Sequence, residues 1–257
     1  MQEITQEEQT KITQAIIKAA VLMLEFGAES ILIEQSAERL GIALGVNSVE
    51  MSLIPAAIVL TTLYNNQSVT TTRRVHHKPI NMSIVCDIQK MVIQIERNNY
   101  NANYVMEYLK NIKPKLYNRW LVIFMVGFAC ASFSNLQNGD LNAFFITFAV
   151  ASFAMFIRQE LNRKRFMMII TFGITAFIAT CIASLSILFN LSTTPNVILA
   201  SSVLLLVPGV PFVNSFLDAF KGYLSMGWGR WLQAMILTIA SSSGIVLAMS
   251  LLNIKGW

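Results

Sequence analysis

"SSVLLLVPGVPFVNSFLDAFKG", residues 201–222, decides how this chain is read. Most of it has the composition of a hydrophobic helix interior, yet Pro208, Gly209 and Pro211 fall within four residues. Proline has no amide hydrogen, so in a helix the carbonyls of Leu204 and Val207 lose their usual donors. In a water-exposed helix interior a proline costs about 3 kcal/mol. In a bilayer the freed carbonyls need a partner from protein, water or substrate. Pro211 suits the first position of a new half-helix, whose early N–H groups at Val210, Phe212, Val213 and Asn214 lack intrahelical acceptors. Such a terminus carries roughly half a positive charge and suits a carboxylate.

Outward from this stretch the surroundings read as membrane. Residues 166–217 hold no charged side chain. A bilayer core of about 30 Å needs roughly 20 apolar residues, so the run is too long for one crossing. "NLSTTPN" (residues 190–196) divides it into two. Residues 120–139, 141–157 and 231–254 supply three more crossings, the first two separated by the turn "QNGD" (residues 137–140). Five transmembrane helices are expected, the fourth broken by PGVP. Discontinuous helices near the midplane recur in transporter binding sites. The expected substrate contacts are therefore Val207, Pro208, Gly209, Val210, Pro211, Asn214 and Ser215. A kink that merely shapes the bundle is the plainer alternative. Asp218 and Lys221, near the end of this crossing, read as an ordinary helix pair or as a coupling or gating pair.

Composition agrees. Of 257 residues, 54% are hydrophobic and 13% charged, and mean hydropathy is +0.55. A soluble domain carries about 25% charged residues. Residues 1–118 hold eleven acidic and eleven basic side chains, and residues 119–257 hold three and eight, so the whole +5 excess lies in the second part. That split predicts a cytoplasmic α+β domain over residues 1–118 and a five-helix transmembrane domain over 119–257. No basic stripe with interleaved aromatics points to nucleic acid. The acidic N-terminus and Glu25, which cuts short the apolar run 19–24, argue against a secretory signal.

Loop charges set the direction. Lys113, Lys115 and Arg119 precede the first crossing; Arg158, Arg163, Lys164 and Arg165 lie in the second connection, and Lys221 and Arg230 in the fourth. The first connection offers only Asp140, the third no charge, and the C-terminus only Lys255. The positive-inside rule then places the N-terminus in the cytoplasm and the C-terminus in the periplasm. Five spans do not form two equal inverted halves, so a partner or self-association into a higher oligomer is expected. "GFACAS", "ATCIAS" and "ASSSG" provide small residues for close helix contact, within the bundle or beyond it.

In the first 118 residues the spacing predicts helices over 10–26 and 29–45, strands over 48–54, 56–64 and 67–75, then helices over 81–98 and 102–112. "TTRRVHHKP" gathers Arg73, Arg74 and His76, a possible cytoplasmic anion contact or simply a charged edge strand. His76 and His77 are adjacent and point to opposite faces of a strand, so a shared metal is not expected. Cys86, Cys130 and Cys181 lack metal or redox spacing. No phosphate loop or nucleophile elbow occurs, Glu25 and Glu29 read as helix ends, and neither an enzyme nor a cofactor is expected.

"LLLVPGVPFVNSFLDAFKG" resembles the Pro-Gly-x-Pro helix of the threonine/serine exporter (ThrE) family. "LEFGAES" with "AERLGIALGV" resembles that family's N-terminal helices, and "AAIVLTT" followed by "TTTRRVHHKPINM" its sheet and returning helix. The likeness covers nearly the whole chain and is strongest to the YjjP-type subunit of the split, two-component form. It implies export across the bacterial inner membrane with a second small membrane protein of the YjjB type supplying the missing half. Succinate is the substrate implied for the split form, and threonine or serine for the fused form. It implies no agreed set of binding residues. The competing readings are a membrane-anchored cytosolic enzyme or regulator, and a passive channel.

Overall fold

The computed structural model describes residues 4–76, 78–98 and 100–254. Contacts divide the chain into two units, Met1–Leu116 with Val213–Trp231, and Tyr117–Phe212 with Leu232–Trp257.

In the first unit, α1 (Gln6–Glu25) starts at a capping box. The Thr5 hydroxyl accepts the Glu8 amide, and the Glu8 carboxylate accepts the Thr5 amide, which satisfies two donors that a helix start leaves open. Ile12, Ile16, Ala19, Ala20 and Met23 share one face, and all are buried. After α2 (Ser30–Ala43), strands β1 (Ser48–Ile54), β2 (Ala57–Tyr64) and β3 (Gln67–Arg74) form an antiparallel sheet in that order. Asn65 and Asn66, at φ +43° and +61°, make the two-residue turn that places Tyr64 opposite Gln67. Buried Gln9 donates to the carbonyls of Thr62 and Gln67 at 3.1 and 3.2 Å, tying α1 to the hairpin. Helices α3 (Met82–Asn98) and α4 (Ala102–Asn111) close a core in which Ile16, Ile33, Leu40, Ile58, Leu60 and Ile88 are fully buried. Each such side chain stabilises the fold by roughly 1.5–3 kcal/mol relative to exposure.

In the second unit, α5 (Arg119–Leu136), α6 (Leu141–Arg163) and α7 (Met168–Leu188) are followed by α8 (Pro195–Ser202) and a 3₁₀ turn at Leu204–Leu206. Helices α9 (Gly209–Phe220) and α10 (Leu224–Leu251) are divided between the units. Four helices among the described residues are long and apolar enough to cross a membrane, or five if the pair Pro195–Leu206 and Gly209–Phe220, bent by 62°, counts as one span. The protein is thus mostly helical, a membrane protein with one small three-stranded sheet. Two boundaries differ most from those read in the sequence, both on membrane helices. α6 runs on to Arg163, so Arg158 and Glu160 are helical rather than in a loop, and α10 starts at Leu224 rather than 231, so Arg230 is helical too. Arg, Gln, Glu and Leu are good helix formers, and a helix outlasts its apolar stretch until a turn ends it; here Arg165, at φ +59°, follows α6.

Close approach explains two glycines. A Cβ on Gly127 of α5 would lie 2.0 Å from Ser152 Oγ of α6, and one on Gly244 of α10 would lie 2.3 Å from the Gly173 carbonyl of α7. Small residues of this kind let helices pack tightly in lipid. Asp140 caps α6 by accepting the Ala143 amide at 2.8 Å, and also accepts from Ser192 Oγ at 2.6 Å and the Thr193 amide at 3.0 Å. One carboxylate thereby ties the α5–α6 turn to the α7–α8 connection. The Ser192 hydroxyl, then the Thr193 and Ala143 amides, hold this carboxyl well below the usual range.

Candidate functional site

The backbone leaves the helical region at Val207 (φ −66°, ψ 121°), between the 3₁₀ turn and α9. The carbonyls of Leu204 and Val207, expected to lack donors, are both repaired locally. Leu204 accepts the Val207 amide at 3.1 Å and Val207 accepts the Gly209 amide at 2.9 Å. Tight turns shorten the hydrogen-bonded loop, so these carbonyls find donors that a regular helix would place elsewhere. The Phe212 amide, also expected to be open, donates to the Pro208 carbonyl at 3.2 Å.

Arg158 is the side chain that meets this region. Its Nη1 donates to the Leu205 carbonyl at 2.8 Å, and the guanidinium lies over the Phe172 ring, 4.7 Å from the centroid. None of the ion pairs among the described residues involves it. The loop-charge count registers Arg158 only as a cation marking direction. Its spacing was the available signal: it lies four residues after Ala154, on the stripe with Ala143, Thr147 and Ala151, all four of them buried.

Val207, Gly209 and Val210 are exposed, Pro211 is half-buried and Pro208 is buried. The remaining predicted residues of this stretch belong to the first unit. Asn214 is buried and donates through Nδ2 to the Gly27 carbonyl at 3.1 Å; Ser215 is buried as well. Fully buried Asp218 faces Arg230, Oδ2 to Nη1, at 2.8 Å, and its Oδ1 accepts the Ser30 amide at 3.1 Å. Arg230 Nη2 donates to the Ala28 carbonyl at 2.6 Å. Lys221 bonds Glu29 at 2.7 Å instead of Asp218, which corrects the helix pair read in the sequence. Asp218 is buried whereas Lys221 is exposed, and a buried carboxylate needs a cation that shares its burial. Tyr223, beyond the end of α9, donates to Glu34, and burial followed by that carboxylate pushes its phenol well above the usual range. The segment Gly27–Ser30 between α1 and α2 is therefore held by four side chains of residues 214–230.

Arg73 and Arg74 are exposed on β3 opposite Ile58 and Ala57. His76 is exposed, and its amide donates to Glu25 Oε1 at 3.3 Å; Lys78 pairs with the same carboxylate at 2.5 Å. His77 and Lys255 lie outside the described residues. Two surface cavities of the first unit, of about 460 and 830 Å³, are lined by none of the predicted site residues. Among the described residues no cluster of His, Cys, Asp and Glu has the makings of a metal site.

Comparison with known proteins places these features in a family. The family described as "Putative threonine/serine exporter" (ThrE) matches residues 14–252. A Klebsiella aerogenes protein named "Probable succinate transporter subunit YjjP" is 42% identical over 97% of each chain. An Escherichia coli K12 protein of the same name is 42% identical over 98% of each. No solved structure matches the chain. With a family match across nearly its whole length and relatives this similar end to end, the chain belongs to the ThrE family of exporters.

Proposed function

We propose that this chain is an inner-membrane exporter subunit that moves a small carboxylate metabolite, succinate foremost, out of the cytoplasm. The carrying observation is the interruption between Leu206 and Gly209, where α8 with its 3₁₀ turn and α9 meet at a bend of 62°, which supports reading them as one broken span. At this break the Leu205 carbonyl is satisfied from another helix, by Arg158, as backbone that leaves the helical pattern at membrane depth requires. Val207, Pro208, Gly209, Val210, Pro211, Asn214 and Ser215 are the substrate contacts in this reading, and Asp218 and Lys221 its coupling or gating residues. Residues 1–118 lie in the cytoplasm, residues 119–257 cross the bilayer five times, and the C-terminus is periplasmic, in keeping with the loop charges. A second small membrane subunit of the YjjB type completes the transporter; the word "subunit" in the names of the relatives supports a partnership.

Metabolite efflux tests this. Cells lacking the chain retain succinate, and release is restored only when this chain and its partner are both returned. Retention of threonine or serine instead would favour the second reading, which the family's description supports. Unchanged efflux with turnover by a soluble fragment would favour a membrane-anchored enzyme or regulator.

A further inference from the structure

Arg158 lies in the last two turns of α6, half-buried and with no carboxylate among its partners. Cationic residues at such helix ends ordinarily extend to the membrane interface. This one turns onto the Leu205 carbonyl and the Phe172 ring. Ser201 and Ser202 lie one helical turn before Leu205, and Thr175 lies one turn after Phe172. All three are fully buried, and none of their hydroxyl oxygens has a hydrogen-bond partner among the described residues. The same three helices share one apolar cluster that includes Ala154, one turn before Arg158, with Ala179 and Ile198.

Ser and Thr in membrane helices commonly bond a preceding carbonyl of their own helix. Thr171, Ser186 and Ser241 do so here, whereas the hydroxyls of Thr175, Ser201 and Ser202, like those of Thr147, Thr180 and Ser184 on the same helices, find no such acceptor. Buried hydroxyls without partners cost free energy, and an acceptor arriving among them recovers it. An arginine whose fork is engaged at one nitrogen retains donors for a carboxylate, the group its planar geometry matches.

We infer that Arg158, Thr175, Ser201 and Ser202 form a carboxylate-binding site where α6, α7 and α8 meet, just before the break. The guanidinium takes the anionic oxygens, and the hydroxyls of Thr175, Ser201 and Ser202 donate to the same group. Identifying this site with the transported molecule rests on the export reading above; the site itself stands on the geometry.

The test is equilibrium binding of succinate to the purified full chain in detergent, beside efflux from cells. Arg158→Gln keeps an N–H donor for the Leu205 carbonyl but removes the charge. It should weaken succinate binding by about tenfold or more, the ordinary effect of losing one charged hydrogen bond. Arg158→Lys keeps the charge and should retain binding to within about threefold to tenfold of wild type, being a point charge without the fork. Ser201→Ala with Ser202→Ala, changes that leave the packing nearly intact, should weaken binding by about threefold to tenfold. Wild-type affinity in Arg158→Gln, or no succinate binding by the wild-type chain, overturns the site. Charge-dependent binding in a chain whose cells show no carboxylate efflux would sink the export reading and leave the site standing. Efflux that persists with binding indifferent to Arg158 does the reverse.

Discussion

Asp218 and Arg230 face each other at 2.8 Å across the turn between α9 and α10, the carboxylate fully buried and the guanidinium nearly so. They lie twelve positions apart in sequence. Each also holds backbone of the α1–α2 connection, through the Ser30 amide and the Ala28 carbonyl. The pair is therefore a joint between distant parts of the chain. Removing one member leaves a buried charge unpaired, so Asp218→Ala or Arg230→Met should destabilise the protein by about 3–5 kcal/mol. The double variant should lose less than the sum. A double-mutant cycle by thermal denaturation measures this, and strict additivity would show the two charges to be independent.

The interruption before α9 predicts a transport defect without a folding defect. A Cβ at Gly209 meets no atom within 4 Å, so alanine fits there without collision. Combined with Pro211→Ala, which adds an N–H and removes a ring from the first turn of α9, it stiffens the chain that follows the break. Efflux should fall by about tenfold or more, the scale expected when binding groups are misplaced. The amount of protein in the membrane should stay as in wild type. Normal efflux from vesicles carrying the double variant would remove the break from the mechanism.

Asp140 predicts a defined pH response. Its folded-state pKa lies below the ordinary aspartate value of 3.8, so its stabilisation is complete above that value and fades as pH falls through the lower, folded-state pKa. Wild type should therefore lose melting temperature on acidification below about pH 4 more steeply than Asp140→Asn. At neutral pH the variant should melt earlier, because an amide cannot accept from Ser192 and Thr193 as the carboxylate does. Parallel acid profiles for the two proteins would contradict the assignment.

Gly244 predicts a steric effect. A methyl group there would press on the Gly173 carbonyl at 2.3 Å and on the Phe177 amide at 3.0 Å, both backbone atoms that move only with their helix. Gly244→Ala should destabilise the α7–α10 contact by about 1–3 kcal/mol. Gly209→Ala alone, with open space around it, serves as the control. Comparison of the two melting temperatures is the measurement.

Much of the architecture is present in local runs of residues. The β-branched residues of 48–75, divided at Pro55 and at "NNQ", predict three strands, and the observed edges agree within about a residue. The uncharged run 166–217 and its neighbours mark the membrane helices because a bilayer demands long apolar segments. Pro208 announces an interruption because it cannot donate a hydrogen bond. These features depend on windows of a few to about twenty residues, which is why the sequence alone determined them.

What met what was decided only by packing. Lys221, three residues from Asp218, is its natural partner on a helix surface, yet Arg230 takes the buried carboxylate and Lys221 goes to Glu29. The carbonyls expected to be stranded by proline are closed by tight turns, while that of Leu205 is taken by Arg158 from another helix. The hydroxyls of Thr175, Ser201 and Ser202 look ordinary in sequence and gain meaning only once burial leaves them without partners. Burial, unlike periodicity, is a property of the assembled chain: it selects which charges must pair and which polar groups stay open, and no local window contains that information.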